Sequence, residues 1–389
     1  MMSGDEMVSL LCNLIAIPSV NPCADAECVT VPYGEGRVAE FVSAYFQSYP
    51  VAVQRQDICA GRSNILIRAP GADSSAAPLL LEAHMDTVDT EGMREPFTPR
   101  IDDGKVFGRG ACDTKASLAA MMLALSELLQ EKAPLPRDVY LVAAADEEWG
   151  MQGIRSLIGA GIPFAGAVVG EPTRLRVVPA TLGQVYLQMV AHGKAAHTST
   201  PEKGVNAIYL MTDVIGALRR RTAAEFPPRA HPLCGPPLLC VSIIEGGNSE
   251  HVVPSDCRIA IDLRLTPGST WEQAAVELEG WLAQELDAAT LERVEILEPH
   301  KNVPPLSTDP SHLMVQALCK ASQDALGWTE VAGVPYNTDG SWLSASGVPV
   351  AVFGPGDIAQ AHGPNEYVSI NEVRQAVDVL KRFIMGFIP

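Results

Sequence analysis

The sequence has little positive charge and no apolar run long enough to cross a membrane. Lys and Arg number 28 against 46 Asp and Glu, which gives a net charge of −18. This balance argues against binding to a nucleic-acid backbone or to an anionic membrane surface, because both need clustered basic side chains. The longest apolar stretch, residues 116–125, contains a serine and is far shorter than the ~20 residues of a membrane-spanning helix. We therefore expect neither nucleic acid nor membrane as a partner.

The cysteines do not form the pattern of a disulfide framework. They number nine, an odd count at irregular positions, which indicates a reducing compartment. Cys23 and Cys28 lie close together, but no second pair accompanies them, so a zinc knuckle is not predicted. The first six residues are acidic and lack the basic segment of a secretory signal peptide. We expect structural thiols throughout and a cytoplasmic protein.

Residues 1–179 alternate predicted helices and strands. Helical spacing of apolar residues and a possible Thr114 N-cap predict helices at 6–17, 36–48 and 114–132. Strand patterns cover 51–53, 64–68, 79–84, 138–145 and 165–170. The run at 138–145 is continuously apolar, which is typical of a strand buried on both faces. Alternation of this kind predicts an α/β sheet covered by helices.

The pattern changes after residue 179 to strand, helix, strand, strand, helix, strand. These predicted elements lie at 182–191, 205–223, 238–245, 258–265, 271–286 and 294–297. That order is the ferredoxin-like split βαβ order. The α/β alternation resumes beyond residue 300, with elements predicted at 311–325, 348–353 and 371–387. We therefore predict a discontinuous α/β domain with a central, mostly parallel sheet from residues 1–179 and 300–389. A ferredoxin-like α+β domain is inserted at 180–299.

Residue types that bind metals stand at five places where predicted strands or turns end. In chain order they are His84 with Asp86, Asp113, Glu147 with Glu148, Glu171, and His362. Each alone has an ordinary explanation, such as a strand-end histidine, a helix-capping aspartate or a solvated acidic loop. Ligands of open α/β sheets gather at the carboxyl ends of strands. The five places together therefore predict one site.

Two histidines and three carboxylates suit a pair of metal ions better than a structural zinc, which prefers Cys and His. Paired metals typically lie about 3.5–4 Å apart and acidify a water that becomes the nucleophile. One carboxylate must then stay off the metals as general base. Because Glu147 and Glu148 are neighbours, one can bind metal while the other takes the proton. The residues alone leave open which does which.

In combination and order, the motifs resemble a zinc-dependent amidohydrolase and peptidase family over essentially the whole chain. This is the family of acetylornithine deacetylase, succinyl-diaminopimelate desuccinylase, aminoacylase and the glutamate carboxypeptidases. The motifs are His84-x-Asp86-Thr87-Val88, Gly108-Arg109-Gly110 to Asp113-Thr114-Lys115, Asp146-Glu147-Glu148, Gly170-Glu171-Pro172-Thr173 and Ala361-His362-x-Pro364-Asn365-Glu366. The segments 170–173, 204–208 and 354–362 resemble acetylornithine deacetylase-type members most closely.

The resemblance implies two Zn²⁺ ions, with Co²⁺ able to substitute. The implied ligands are His84, Asp113 and Glu171 for one zinc, and Glu148, His362 and the bridging Asp113 for the other. The implied catalytic residues are Glu147, as general base and then acid, and Asp86, which orients His84. The peptide bond after Asp113 is expected to be cis.

The implied activity is a metal-dependent amidohydrolase that cleaves the amide of an N-acyl amino acid through a metal-bridging water. N-acetylornithine is the first candidate, which would place the enzyme in arginine biosynthesis. Desuccinylation of succinyl-diaminopimelate, or cleavage of dipeptides or of a C-terminal residue, is an alternative with the same metals. A binding protein that kept the fold and lost the chemistry is a remote alternative, since no motif residue is missing. A redox role for Cys112 is another, disfavoured because the adjacent Asp113 raises a thiol pKa.

The inserted domain is implied to act as a lid and to form a homodimer. His197 is the expected oxyanion donor, and the resemblance leaves open whether it acts within its own subunit or across the dimer. Arg264 resembles an arginine that binds the substrate carboxylate, although a strand arginine paired with Asp262 is an equal alternative. His251 stands where the family often has asparagine, and Asn337 opens a loop that looks more like the desuccinylases. These departures leave the substrate open between an N-acyl amino acid and a short peptide.

Overall fold

The computed structural model describes residues 4–22, 34–59, 61–90 and 92–388. Cys23 and Cys28 lie outside these residues. Within them, none of the helices combines the length and the apolar character that crossing a membrane requires. The chain divides into two compact units. The first comprises residues 1–179, 308–332 and 338–389, and the second comprises residues 180–307 and 333–337.

The first unit is organised around an eight-stranded mixed sheet with strand order β1-β2-β6-β3-β7-β15-β8-β14. Its strands are β1 (Ala52–Cys59), β2 (Arg62–Ala69), β3 (Leu79–His84), β6 (Val139–Ala144), β7 (Gly166–Val169), β8 (Val177–Thr181), β14 (Val331–Val334) and β15 (Val350–Val352). The central strands β6, β3, β7 and β15 run parallel, whereas β1 and β2 are antiparallel. The predicted α/β class is confirmed.

Two groups of helices accompany this sheet. The helices are α1 (Gly4–Ile15), α2 (Gly36–Phe46), α3 (Lys115–Gln130), α4 (Gln152–Gly159), α8 (Leu313–Leu326), α9 (Gly340–Ala345) and α10 (Ile370–Gly386). Helix α3 contacts α1, α10 and β3, and α8 contacts α10, while α4 contacts α9. Nearly every residue of α3 is buried, which explains why its sequence is apolar on all sides.

A small antiparallel sheet of β4 (Arg100–Asp102), β5 (Lys105–Phe107) and β16 (Tyr367–Ser369) was not predicted from the sequence. Each of its strands has only three residues, too few for an alternating pattern to be recognised. Strand β1 extends further than predicted. The sequence pattern missed its later residues because most of them are polar or exposed and show no apolar alternation. The small sheet places the segment before Asp113 beside the segment after His362.

The second unit contains the predicted strand, helix, strand, strand, helix, strand order, together with one short helix and one short strand that the sequence did not predict. Its elements are β9 (Gly183–His192), α5 (Ala207–Glu225), β10 (Leu238–Gly246), β11 (Asp256–Leu265), α6 (Trp271–Glu285), α7 (Ala288–Leu291), β12 (Val294–Ile296) and β13 (Lys301–Val303). The strand order is β10-β11-β9-β12, with antiparallel pairs throughout and β13 also paired to β9. Alternate residues of β9 and β11 are buried with the apolar faces of α5 and α6, which forms this unit's own core.

Candidate metal centre

Parallel strands of the first unit bring several predicted ligands to one edge of its sheet. Strand β3 ends at His84, and β6 beside it leads directly into Glu147 and Glu148. Strand β7, on the other side of β3, leads into Glu171. All four side chains therefore project from carboxyl ends of neighbouring strands, where ligands of α/β sheets bind.

The centre of this cluster consists of His84, Asp113 and Glu148. One ligand atom from each of these three residues lies within 4.8 Å of the other two. His84 and Asp113 are 2% and 7% exposed, so both are withdrawn from bulk water. Buried carboxylates and imidazoles this close together are costly unless a charge of the opposite sign accompanies them.

Asp113 stands between the two histidines. Its Oδ1 is 3.1 Å from Nε2 of His84, and its Oδ2 is 3.2 Å from Nε2 of His362. Each histidine has one further carboxylate: Glu171 Oε1 lies 3.8 Å from His84 Nε2, and Glu148 Oε2 lies 3.5 Å from His362 Nε2. The five residues thus form two half-sites, each with one histidine and one glutamate, that share Asp113.

The chain around Asp113 is fixed locally. The Asp113–Thr114 peptide bond is cis, as the resemblance implied. Thr114 occupies the N-cap position of α3, but its hydroxyl makes no capping bond with that helix. The hydroxyl instead donates to the carbonyl of Gly170 at 2.7 Å. This bond connects the segment that carries Asp113 to the strand end that carries Glu171.

The electrostatic field of the cluster favours positive charge. Burial alone would lower the pKa of His84, but hydrogen bonds with Asp113 and Asp86 raise it well above its usual value. Hydrogen bonds with Asp113 and Glu148 raise the pKa of His362 to about 10. The same field that holds protons on these rings would stabilise a metal cation in their place.

The pKa values of the three glutamates of the cluster are also raised. Burial raises the pKa of Glu147 and Glu171 well above the usual value, and the nearby charge of Asp113 adds to it. Burial and Asp113 also raise the pKa of Glu148, whose Oε1 has no hydrogen-bond partner among the described residues. Imidazole and carboxylate groups are ligands that Zn²⁺ accepts. The donor set and its uncompensated charge therefore fit a metal centre.

Asp86 holds the peptide groups of the neighbouring acidic pair. Its Oδ1 accepts the N–H of Glu147 at 3.1 Å, and its Oδ2 accepts the N–H of Glu148 at 3.0 Å and the Asn21 amide at 2.7 Å. The Nδ1 of His84 lies 2.9 Å from the main-chain oxygen of Asp86 and 3.6 Å from its carboxylate. Asp86 thus orients His84 mainly through its carbonyl, while its carboxylate fixes the segment that carries both glutamates.

A buried network behind Asp86 was not anticipated from the sequence. Asn21 also donates to Asp146 at 3.0 Å, and Arg62 donates to the same Asp146 oxygen at 2.9 Å. Arg62 pairs in addition with Glu35 at 2.7 Å. These residues are all less than a tenth exposed. Buried charge is the relevant signal, and it is visible only once the fold places the partners together.

In the second unit, the structure brings two predicted substrate-binding residues together. Arg264 donates to Asn337 at 3.4 Å and forms an ion pair with Asp262 at 2.9 Å. With its amide oxygen turned towards Arg264, Gln184 accepts from that side chain at 2.6 Å and donates to Asn337 at 3.0 Å. The alternative Arg264–Asp262 pairing is therefore present. Gln184 was not predicted, because nothing in its local sequence marks it.

The other two predicted residues of this unit lie on adjacent segments. His197 forms a β-bridge with Val252, and the N–H of Thr198 donates to the carbonyl of His251 at 3.2 Å. The His197 Nδ1 accepts the N–H of Ser199 at 3.1 Å, which fixes the ring relative to its own loop. Both histidines are exposed on the second unit.

Cys112 has the environment of an inert thiol. It is fully buried, and its Sγ contacts the carbonyl oxygen of Asp357 at 3.4 Å. Burial, together with the charges of Asp113 and Glu366, raises its pKa far above that of a free thiol. A reactive cysteine needs an exposed and electropositive setting, so the geometry gives the redox alternative no support.

Known proteins resemble this chain in both sequence and structure. Residues 80–386 match peptidase family M20/M25/M40. The acetylornithine deacetylase of Myxococcus xanthus is 30% identical over 359 residues, covering 90% of this chain and 91% of the relative. Aminopeptidase PepT from Bacillus cereus superimposes with a TM-score of 0.80 at 20% identity, covering 99% and 98% of the two chains.

A second solved structure is the Bacillus subtilis YXEP protein, described as a dinuclear metal-binding peptidase from the M20 family. It superimposes with a TM-score of 0.73 at 14% identity, and the match covers 98% of this chain and 97% of that one. At such identities the superpositions establish the fold, whereas the sequence matches establish the family. This chain belongs to peptidase family M20/M25/M40 and is a metal-dependent amidohydrolase.

Proposed function

We propose that the protein is a di-zinc hydrolase that cleaves the amide bond of an N-acyl amino acid, with N-acetylornithine as the first candidate. The observation that carries the proposal is the shared position of Asp113 between two histidine–glutamate half-sites. The sequence relative supports the choice of substrate, because it is an acetylornithine deacetylase of nearly equal length.

The distances between the proposed ligands divide them into two sets, one for each metal ion. His84, Asp113 and Glu171 would hold one, and Glu148, His362 and Asp113 would hold the other. The dinuclear centre described for the YXEP protein supports the count of two. Metal ions bound there would polarise the scissile carbonyl and make an attacking water more acidic. We assign zinc from the donor set and expect Co²⁺ to replace it.

Glu147 is the proposed general base. Its N–H donates to Asp86, and the residue as a whole is 8% exposed, next to the proposed ligand Glu148. The raised pKa of Glu147 suits a group that takes a proton from the attacking water and returns it to the leaving amine. Asp86 acts by positioning, since its two oxygens fix the main chain of Glu147 and Glu148.

The second unit would supply the remaining contacts. An arginine fork can bind a substrate carboxylate in two places, and Arg264 already lies within 3.4 Å of the Asn337 side-chain oxygen. Arg264 already forms an ion pair with Asp262. To bind Arg264, the substrate carboxylate must therefore either displace Asp262 or bind the guanidinium group together with it. We assign His197 as the oxyanion donor and His251 as a further substrate contact. The adjacency of their segments supports treating them as one region.

The second unit is also the proposed dimer surface, and we propose a cytoplasmic homodimer. Strand β10 has no neighbouring strand on one side among residues 4–22, 34–59, 61–90 and 92–388, and Leu238, Ile243 and Ile244 on it are about half exposed. An apolar edge strand is unfavourable in water unless another strand or chain covers it. The variant Ile244→Lys should shift the protein to a monomer in analytical ultracentrifugation. A parent that is already monomeric at micromolar concentration would refute the dimer.

The substrate proposal is tested by turnover of the zinc-loaded enzyme on a small panel. The panel contains N-acetylornithine, other N-acetyl amino acids, N-succinyl-diaminopimelate and several dipeptides, with Glu147→Gln as the inactive control. We expect the highest kcat/KM for N-acetylornithine. A dominant activity on a dipeptide or on the succinyl compound would replace the substrate while keeping the metal chemistry. No turnover with both metals bound would refute the proposed activity.

A further inference from the structure

Glu366 is a buried carboxylate that the proposed mechanism does not use. It follows His362 by four residues, directly before β16, and none of its surface is exposed. Among the described residues, its carboxylate makes no hydrogen bond to the side chain of a proposed ligand. A buried charge is retained in a fold only where many hydrogen bonds compensate it.

Four hydrogen bonds converge on the Glu366 carboxylate. Oε1 accepts the N–H of Cys112 at 2.8 Å and the N–H of Asp113 at 3.0 Å. Oε2 accepts the N–H of Gly110 at 3.1 Å and Nη1 of Arg109 at 2.7 Å. One side chain therefore satisfies three main-chain donors of the segment that ends in Asp113.

The fold brings these partners together through the small sheet. Tyr367 of β16 pairs with Phe107 of β5, and the N–H of Gly108 donates to the carbonyl of Glu366 at 3.2 Å. Residues 108–113 and 362–366 thus run side by side from a common pair of strands. Arg109 is 1% exposed and supplies the positive charge that balances Glu366 in this buried place.

We infer that Glu366 is a positioning residue that holds the Asp113 segment and the His362 segment at the spacing that metal binding requires. This inference rests on the proposed assignment of Asp113 and His362 as ligands. Glu366 acts on Asp113 through the main-chain N–H of Asp113. The two carboxylate oxygens of Asp113 face the two half-sites. Its loss should therefore weaken metal binding without removing any ligand.

The substitution Glu366→Gln tests this with almost no change of shape. A glutamine presents one acceptor and one donor group, whereas all four neighbours of Glu366 are donors. In either orientation, the glutamine amide places its NH₂ group against two of these four donors. The substitution also leaves Arg109 without a counter-charge. The Asp113 segment should shift in response.

Asp138→Asn is the matched control. Asp138 is also a buried carboxylate, 5% exposed, that pairs with Arg68 at 2.6 Å and accepts the N–H of Gly71 at 2.9 Å. It precedes β6, whose other end leads to the metal centre, so it lies about 20 Å from the centre at ~3.3 Å per strand residue. Both variants remove the charge of a buried carboxylate that pairs with an arginine, although Arg68 is about half exposed and Arg109 is buried. Only Glu366 contacts the Asp113 segment.

The experiment titrates metal-free full-length protein with Co²⁺ and follows the visible absorption of the bound ion. We expect ~10–100-fold weaker Co²⁺ binding for Glu366→Gln and unchanged binding for Asp138→Asn, even where both lower the Tm. At saturating Co²⁺, turnover of the Glu366→Gln variant should approach that of the parent. Parent-like Co²⁺ affinity in Glu366→Gln, or an equal loss in both variants, would overturn the inference.

Two further variants keep the test decisive. If Glu366→Gln does not fold, Glu366→Asp retains the charge beside Arg109 but withdraws the carboxylate from the main-chain donors. It should weaken Co²⁺ binding relative to the parent, and unchanged binding would contradict the inference. Asp113→Asn separates the two proposals. Parent-like Co²⁺ binding in Asp113→Asn would refute the proposed metal centre itself, whereas its loss alongside intact binding in Glu366→Gln would refute only the role of Glu366.

Discussion

The substitution Glu147→Gln separates the proposed base from the proposed ligands. Glutamine has the shape of glutamate but cannot accept a proton at the working pH. The Glu147 N–H would keep its bond to Asp86, because that bond is made by the main chain. The substitution should therefore leave the ligand geometry intact and remove only the proton transfer.

The expected loss in kcat is ~10²–10⁴-fold, the usual contribution of a general base. At 1.36 kcal/mol per factor of ten, this corresponds to about 2.7–5.4 kcal/mol of transition-state stabilisation. Metal content should stay at the parent level. Glu148→Gln is the matched control, because it changes the adjacent glutamate, whose Oε2 lies 3.5 Å from His362, and it should weaken metal binding.

The same substitution has a defined effect on the stability of the metal-free protein. Burial raises the pKa of Glu147 in the folded state, so the native protein binds that proton more tightly than the unfolded chain. A raised carboxyl pKa costs stability as the pH rises above the unfolded value of about 4.3. Glu147→Gln should therefore raise the Tm of the metal-free protein at pH 7–8, with the gain disappearing below pH 4.

The assay combines stopped turnover of N-acetylornithine, metal analysis by mass spectrometry and thermal melts across this pH range. Loss of metal in Glu147→Gln would make Glu147 a ligand and refute its assignment as base. Retained turnover within threefold of the parent would refute the need for a base at this position. A Tm that falls at pH 8 in the metal-free variant would contradict the electrostatic argument.

Three further predictions concern the surroundings of the centre. Saturating the metal-free protein with Zn²⁺ at a hundred times its Kd should stabilise it by ~2.7 kcal/mol for each ion bound, and an unchanged Tm would contradict binding to the folded state. Asp86→Ala leaves the N–H groups of Glu147 and Glu148 unpaired, so urea unfolding should show a loss of about 2–6 kcal/mol, and a loss below 1 kcal/mol would refute the bonds. Arg264→Gln should raise KM more than it lowers kcat, and an effect on kcat alone would remove Arg264 from substrate binding.

The proposed ligands could be found from the sequence because each follows a recognisable apolar strand or turn. Parallel strands β3, β6 and β7 align their carboxyl ends. The sequence order alone therefore predicts that His84, Glu148 and Glu171 lie close together. His362 was harder to predict, since it lies nine positions after Phe353, but its motif identified it.

The residues that support the centre could not be found in this way. Arg62 and Asp146 are 84 positions apart, and Arg109 and Glu366 are 257 apart. Arg109, Asp146 and Glu366 stand within the quoted motifs, but the motifs do not show that these side chains are buried or which residue each one pairs with. Arg, Asp and Glu are usually exposed, so burial is not the expectation for them. The small sheet that aligns Glu366 with the Asp113 segment consists of three-residue strands, which carry no readable pattern.

The exact ends of elements also depend on tertiary contacts. Helix α3 begins at Lys115, close to its prediction, but Thr114 gives its hydroxyl to Gly170 instead of capping the helix. That choice serves the site, since it connects two ligand-bearing segments. Local propensity identifies such a threonine as a cap, and only the fold shows the competing acceptor.

The most direct test of the proposed metal centre is to titrate metal-free protein with Zn²⁺ and to measure by isothermal calorimetry how many ions each chain binds. Turnover of an N-acyl amino acid is followed on the same samples. The proposed di-zinc mechanism predicts two Zn²⁺ per chain, activity that rises with occupancy, and loss of both binding steps in Asp113→Ala. Full activity in a verified metal-free sample, or unchanged binding of two ions by Asp113→Ala, would contradict it.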